Sequence, residues 1–316
     1  MLILAPMQGL TELLFRKINY KCFPNAFDYA ISPFLSLTHG NLNYADKKIE
    51  DVLPDANIDS IPVIPQILGH EPVEFIALAN RLFDLGYNTV NWNLGCPMRR
   101  VAAKHRGSGI LPFPQEISSI LDKVIPAIKP SLSIKMRLGY NSQDEIDDVI
   151  PVLNDYPIVN ITIHPRIGRQ MYGGVVNVGK FSDIIGKIKH PVIYNGDIFT
   201  VSDYNRIRSL FPMVKDVMIG RGALYNPLLP MQIKTMNPND FSDGYIGHSV
   251  SACRFIEALV EEILSMEIST QAKIRKIKEY WCLLSKSLPY SEDSARRVLH
   301  SDDLDTIKAL IFSMTK

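Results

Sequence analysis

Thr89-Val90-Asn91-Trp92-Asn93-Leu94-Gly95-Cys96-Pro97 is the stretch on which the reading of this chain turns. Its first five residues are β-branched, aromatic and polar in the mixture that suits a strand. Gly95 and Pro97 then stop the run. Seven other short apolar runs have the same form: Leu2–Leu4, Tyr29–Ile31, Val63–Gln66, Leu132–Met136, Val159–His164, Val192–Asn195 and Val217–Ile219. Their ends, counted from Leu4 to Gly220, fall 25 to 42 residues apart. Each interval is long enough for a helix and a return, so strands and crossover helices alternate along a parallel sheet. Eight such units predict an α/β fold of the TIM (β/α)8 barrel type. In that fold the active site collects at the carboxyl ends of the strands.

Crossover helices are predicted at Pro72–Leu85, Pro114–Ile128 and Asp144–Leu153, and at Val201–Leu210 with Thr200 as N-cap. Ser36–Ser60 is polar and irregular, which predicts a distorted second unit. After Asn226-Pro227 the composition changes. Thr235–Gly247 reads as a linker, and helices are predicted at Ser249–Met266, Thr270–Ser287, Glu292–Leu299 and Asp303–Ser313. A barrel over residues 1–238 is therefore followed by a small all-helical C-terminal domain over residues 239–316, with Trp281 in its core.

The chain has 316 residues, 46% hydrophobic and 21% charged, with a net charge of +1. That balance suits a globular fold with a large core and offers no global basic field. Four cysteines without CxxC spacing suit free thiols in a reduced cytoplasmic setting. No leader, membrane span or metal site is read.

The strand ends bring Met7, Gln66, Asn93, Cys96, Lys135, His164, Asn195 and Arg221 to one rim. Cys96, between Gly95 and Pro97, would stand above the mouth. A thiol near its ordinary pKa of about 8.5 is protonated at neutral pH and can act as a general acid; a buried small hydrophobe is the plainer alternative. Lys135 shares a face with Arg137. It is read as a rim lysine reaching solvent, a Schiff-base lysine, or a cation beside an anionic cofactor edge. His164 could be structural or could join that site. Asn195-Gly196-Asp197 and Gly220-Arg221-Gly222 follow the last two strands, where this fold usually binds phosphate.

Eight ordered motifs make the chain similar to the tRNA-dihydrouridine synthases, most like the DusC branch of the bacterial enzymes. They are Ala5-Pro6-Met7, Pro65-Gln66-Ile67-Leu68-Gly69, Asn93-Leu94-Gly95-Cys96-Pro97, Gly107-Ser108-Gly109, Lys135-Met136-Arg137-Leu138-Gly139, His164-Pro165-Arg166, Asn195-Gly196-Asp197-Ile198 and Gly220-Arg221-Gly222-Ala223-Leu224. The DusC likeness rests on the compact tail and on Arg275-Lys276-Ile277-Lys278-Glu279-Tyr280-Trp281.

The resemblance implies FMN across the mouth, bound by Pro6, Met7, Gln66, Lys135, His164, Asn195, Gly196, Asp197, Gly220 and Arg221. NADPH, or NADH, reduces it. Hydride then passes to C6 of a tRNA uracil while Cys96 protonates C5. Asn93, Tyr172, Arg166 and Gln170 would orient the uracil, in a D-loop uridine such as position 16. Pro165, Ile167, Leu94 and Met98 depart from the commoner family residues. Backbone contacts to tRNA are expected from Arg99, Arg100, Lys104 and Arg106 beside the catalytic loop, and from Lys273, Arg275, Lys276, Lys278, Arg296 and Arg297 in the tail. A monomer without protein partners is expected. Rival readings are an FMN barrel oxidoreductase acting on a small pyrimidine or enoate, a Schiff-base aldolase using Lys135, and a non-catalytic tRNA-binding module.

Overall fold

A computed structural model describes residues 1–36, 48–235, 245–287 and 292–315. Nine strands form one sheet: β1 (Leu2–Leu4), β2 (Tyr29–Ile31), β3 (Val63–Ile64), β4 (Gln66–Ile67), β5 (Thr89–Leu94), β6 (Ser131–Gly139), β7 (Ile158–Ile167), β8 (Val192–Tyr194) and β9 (Asp216–Ile219). Their order is β3-β2-β1-β9-β8-β7-β6-β5-β4, and each neighbouring pair is parallel.

The ninth strand is not an added stave. The predicted run Val63–Gln66 breaks at Pro65, which has no N–H to give to a ladder. β3 pairs with β2, β4 pairs with β5, and Pro65 still accepts from Asn91 N–H across the break. Eight staves therefore enclose the barrel.

Between the staves run α1 (Leu13–Cys22), α2 (Pro72–Asp84), α3 (Arg99–Ala102), α4 (Pro114–Val124), α5 (Glu145–Leu153), α6 (Val178–Ile185) and α7 (Val201–Leu210). The four predicted crossovers form. Thr200 Oγ1 accepts from Asp203 N–H, and the Asp203 carboxylate returns to Thr200 N–H, a reciprocal cap. Helices α1, α3 and α6 lie outside the sequence-based prediction. Between β2 and β3 the described residues carry two 3-10 turns, Glu50–Val52 and Asp55–Asn57, so the second unit is irregular as expected.

After β9 come α8 (Arg221–Tyr225) and α9 (Leu229–Thr235). The tail helices are α10 (Tyr245–Ser265), α11 (Thr270–Leu284), α12 (Glu292–His300) and α13 (Leu304–Met314). The predicted linker at Thr235–Gly247 lies mostly outside the described residues, as does the division at 238/239. The buried cluster runs without interruption from barrel to tail. Phe15 of α1 meets Phe255 edge-on at 5.5 Å and stacks on Tyr280 at 6.3 Å. Trp281 is in the core, its indole N–H donating to Ala295 O. Among the described residues no helix is long and apolar enough to cross a membrane.

Candidate active site

The barrel interior is polar toward its carboxyl end, and the polar groups form a directed chain. Asn93 Nδ2 donates to Gln66 Oε1 at 2.7 Å, Gln66 Nε2 to Asn91 Oδ1 at 2.7 Å, and Asn91 Nδ2 to Ser133 Oγ at 2.9 Å. Ser133 Oγ then donates to Val90 O. Each link fixes the next amide's orientation, since an amide has distinct donor and acceptor ends. The consequence falls on Asn93, whose Oδ1 accepts from both Gly95 N–H and Cys96 N–H. Asn93 thus clamps the cysteine loop from below. Gln66 is fully buried within this chain, so it braces the loop rather than offering a polar group to the mouth.

The loop is held from its other side as well. Ser108 N–H and Oγ both donate to Cys96 O at 3.0 Å. Gly107 lies at φ +58°, where a Cβ would sit 2.8 Å from that of Cys96, so only glycine fits. Arg137 Nε donates to Gly95 O and Nη1 to Ile167 O. Cys96 is a partly buried free thiol. Burial pushes its pKa up, against the pull of Met98 N–H and nearby cations, so it stays protonated at neutral pH.

Beside it, a narrow pocket of about 60 Å³ is lined by Pro6 and Met7 after β1, Lys135 on β6, His164 on β7, Asn195, Gly196 and Asp197 after β8, and Gly220 and Arg221 after β9. All the rim residues expected to bind a cofactor meet here except Gln66. A larger cavity of about 920 Å³ lies between α1 and the segment after β2, with Glu262, Met266 and Lys276 of the tail also lining it, and shares none of them. Among its described lining residues are no cysteine or histidine, and Glu12 and Asp51 are already paired with Lys276 and Arg16, so the chemistry is sought in the smaller pocket.

The pocket is cationic. Asp197 is its one carboxylate among the described lining residues, set against Lys135 and Arg221, with Arg137 and Arg166 close behind. Burial and Arg137 push Lys135 down to about 7. Arg137 itself is lowered to about 10, chiefly by burial. His164 is held well below its ordinary value by burial and by Arg137, Lys135, Arg166 and Arg221, so it is neutral. Its Nε2 faces Arg166 Nη1 at 3.1 Å; since guanidinium only donates, Nε2 accepts and Nδ1 carries the proton.

Asp197 accepts from Nη1 and Nη2 of Arg166 and from Nη2 of Arg221, which lowers its pKa despite partial burial. It orients two cations at the pocket wall. Asn195 Nδ2 donates to Met218 O. A Cβ on Gly196 would press on Val176 at 2.8 Å, and one on Gly220 would crowd Met7 Sδ at 3.4 Å. Glycines and an excess of positive charge are what a phosphate-bearing anion requires.

The residues expected around a uracil separate. Tyr172 is exposed, with Arg137 and Arg221 at 5.6 and 5.0 Å from its ring. Arg166 is buried and engaged with Asp197 and with Gly173 and Gly174 carbonyls. Gln170 Oε1 accepts from Ile167 N–H. These two shape the Tyr172 loop.

The expected RNA-facing cations also divide. Arg99, Arg100, Lys104, Arg275 and Arg297 are exposed and enter no ion pair among the described residues. Lys276 pairs with Glu12, Lys278 with Asp302 and Arg296 with Glu292, Lys273 donates to Leu264 O, and Arg106 donates to His70.

Arg137, Asn91, Ser133 and Thr11 were absent from the expected site. The first three were legible as the same-face neighbours, two residues away, of Lys135, Asn93 and Lys135 respectively. Thr11 carried no such signal.

The dihydrouridine synthase family model matches residues 3–308. The tRNA-dihydrouridine(16) synthase of Neisseria meningitidis serogroup B is 25% identical over 98% of this chain and 93% of its own length. That of Pseudomonas syringae pv. tomato is 27% identical over 99% and 98%. Among solved structures, histamine dehydrogenase from Rhizobium superposes with a TM-score of 0.57 at 8% identity, covering 81% of this chain and 48% of that one. The old yellow enzyme homologue from Zymomonas mobilis gives 0.53 at 12%, covering 75% and 89%. At such identities the likeness is one of fold.

Proposed function

The chain belongs to the dihydrouridine synthase family, and we propose that it reduces the C5–C6 double bond of a uracil in tRNA, with FMN at the barrel mouth and NADPH or NADH as reductant. The observation that carries this reading is the glycine-walled cationic pocket with a protonated thiol on the adjacent loop. The pocket's excess positive charge suits a flavin that carries a phosphate and becomes electron-rich when reduced. When bound, FMN supplies the two-electron reduction of the pyrimidine ring.

The remaining work falls to this chain. Gly196, Gly220 and Arg221 receive the phosphate, with Asn195 and Asp197 supporting them, while Pro6 and Met7 border the ring. Lys135, about half protonated at neutral pH when alone, takes up a proton beside an anionic edge and stabilises negative charge there. His164, with its proton on Nδ1, would offer that N–H as a donor to the bound ring. Cys96 gives its proton to C5, balancing the electron pair delivered at C6, and the thiolate is reprotonated from solvent.

Tyr172 and Asn93 border the space a uracil would enter, the second through the cysteine loop it fixes. Bringing a uridine there from folded tRNA requires unstacking it, which costs a few kcal/mol and is offset by backbone contacts elsewhere. Arg99, Arg100, Lys104, Arg275 and Arg297 are the exposed cations placed to make them. The names of the relatives support position 16 in the D-loop, and a tRNA substrate implies action in the cytoplasm. The chain is taken to act as a monomer.

The test is turnover with NADPH of unmodified tRNA against free uridine and orotate. Efficient turnover is expected for tRNA alone. Comparable turnover of the small molecules would replace this reading with that of a small-molecule reductase.

A further inference from the structure

The turn that carries Pro6 and Met7 to the pocket is held from the helical tail. Within the turn, Met7 N–H donates to Thr11 Oγ1 at 2.8 Å, and that hydroxyl donates to Ala5 O at 2.9 Å. Leu10 and Thr11 N–H both donate to Met7 O. Two contacts then leave the barrel for α11. Tyr280 Oη donates to Leu10 O at 2.7 Å. Lys276 Nζ meets Glu12 Oε2 at 3.2 Å, while Glu12 Oε1 accepts from Gly9 N–H, itself at φ +81°. Tyr280 is fully buried. Burial and the carboxylates of Glu12, Asp51 and Glu279 keep its phenol protonated and donating. From the barrel side, Arg16 Nη1 donates to Thr11 O and is itself paired with Asp51.

We propose that α11 is part of the cofactor site: Tyr280 and Lys276 are positioning residues that set the Pro6–Thr11 turn and, through it, the place of Met7 against the bound flavin. The tail then has a second duty besides any contact with RNA. Met7 and Gly220 line the same pocket, and Met7 Sδ stands 3.4 Å from where a Cβ on Gly220 would be, so the setting of the turn decides what space that glycine leaves open. Releasing the turn at Leu10 leaves a carbonyl without its donor, and the turn re-forms in another shape.

The inference rests on reading the pocket as a flavin site, and the test separates the two. The full chain is stripped of flavin and titrated with FMN, following quenching of flavin fluorescence and the visible circular dichroism of the bound form. Tyr280→Phe is compared with Asp302→Asn, which breaks the Lys278 pair inside the tail without touching the turn.

The expected result is saturable binding by the parent chain, a Kd raised about tenfold in Tyr280→Phe with an altered dichroic band, and no change in Asp302→Asn. A tenfold loss corresponds to about 1.4 kcal/mol, the range of one buried hydrogen bond. Unchanged affinity and dichroism in Tyr280→Phe, with the protein folded, overturns the inference and leaves the flavin site standing. Equal losses in both variants also overturn it, assigning the effect to general loosening of the tail. Absence of FMN binding by the parent chain overturns the pocket assignment, and the inference with it.

Discussion

Lys135 is the residue whose chemistry most constrains the account. Its ammonium is pushed down to about 7 by burial and by Arg137, so an anion bound beside it must raise that value again. Affinity for FMN is therefore greatest below pH 7 and declines as pH climbs above it, with proton uptake on binding. In the ligand-free chain the same depression favours the folded state increasingly as pH rises from 7 toward the ordinary 10.5, because the unfolded chain then binds more protons. Titrating FMN between pH 6 and 9 should show the decline, and Lys135→Met should lower affinity at pH 6 and flatten the profile. A flat profile in the parent chain would remove Lys135 from the site. Cys96 makes a separate prediction. Its raised pKa keeps a proton available and makes the thiol slow to alkylate at pH 7. Cys96→Ala should retain FMN and NADPH oxidation while losing at least about a hundredfold in tRNA reduction, the usual scale for a general acid. Loss of flavin from that variant would make the cysteine structural.

At the scale of elements, the cysteine loop is as closely built as a strand. Asn93 holds it from the end of β5, Ser108 from the 3-10 turn Gly107–Ile110, and Arg137 from β6. Gly107→Ala should therefore misplace the thiol: a positive φ and a Cβ 2.8 Å from that of Cys96 both oppose it. The expected outcome is a loss of about 1–3 kcal/mol in stability and a fall in tRNA reduction with flavin content preserved, read by thermal melts and turnover. Normal turnover would show that the loop tolerates displacement. Most elements were legible, because short apolar β-branched runs and capped amphipathic helices write their rules locally. Thr200 with Asp203 marks α7 by its cap alone. Pro65 in the third apolar run was visible, but its effect depends on pairing with two different neighbours, which no local pattern encodes. Helix α6 was missed although Asn177 caps it, accepting from Lys180 N–H; Gly179 in its first turn weakens the helical signal.

On the scale of the whole molecule, barrel and tail share one buried cluster, joined through Phe15, Phe255 and Tyr280. The sequence located both the rim and the tail, yet it could not show which cations were already engaged. Lys276 reads as an RNA contact from composition, whereas in space it meets Glu12. Pairing across 264 positions leaves no local trace. Exposed Arg99 and Arg100 are better candidates. Replacing both with alanine should raise the KM for tRNA and flatten the dependence of log affinity on log salt by about 0.7–0.9 per lost phosphate contact. Flavin reduction by NADPH should not change. An unaltered salt slope would move the RNA track to another face.

On the proposed function, this pocket and this thiol together make dihydrouridine in tRNA. The most direct test is mapping dihydrouridine in tRNA from cells lacking endogenous activity and supplied with this chain or its Cys96→Ala variant. The parent chain should restore the modification in the D-loop at position 16, and the variant should not. Dihydrouridine absent with the parent chain, or restored equally by both, would contradict the account.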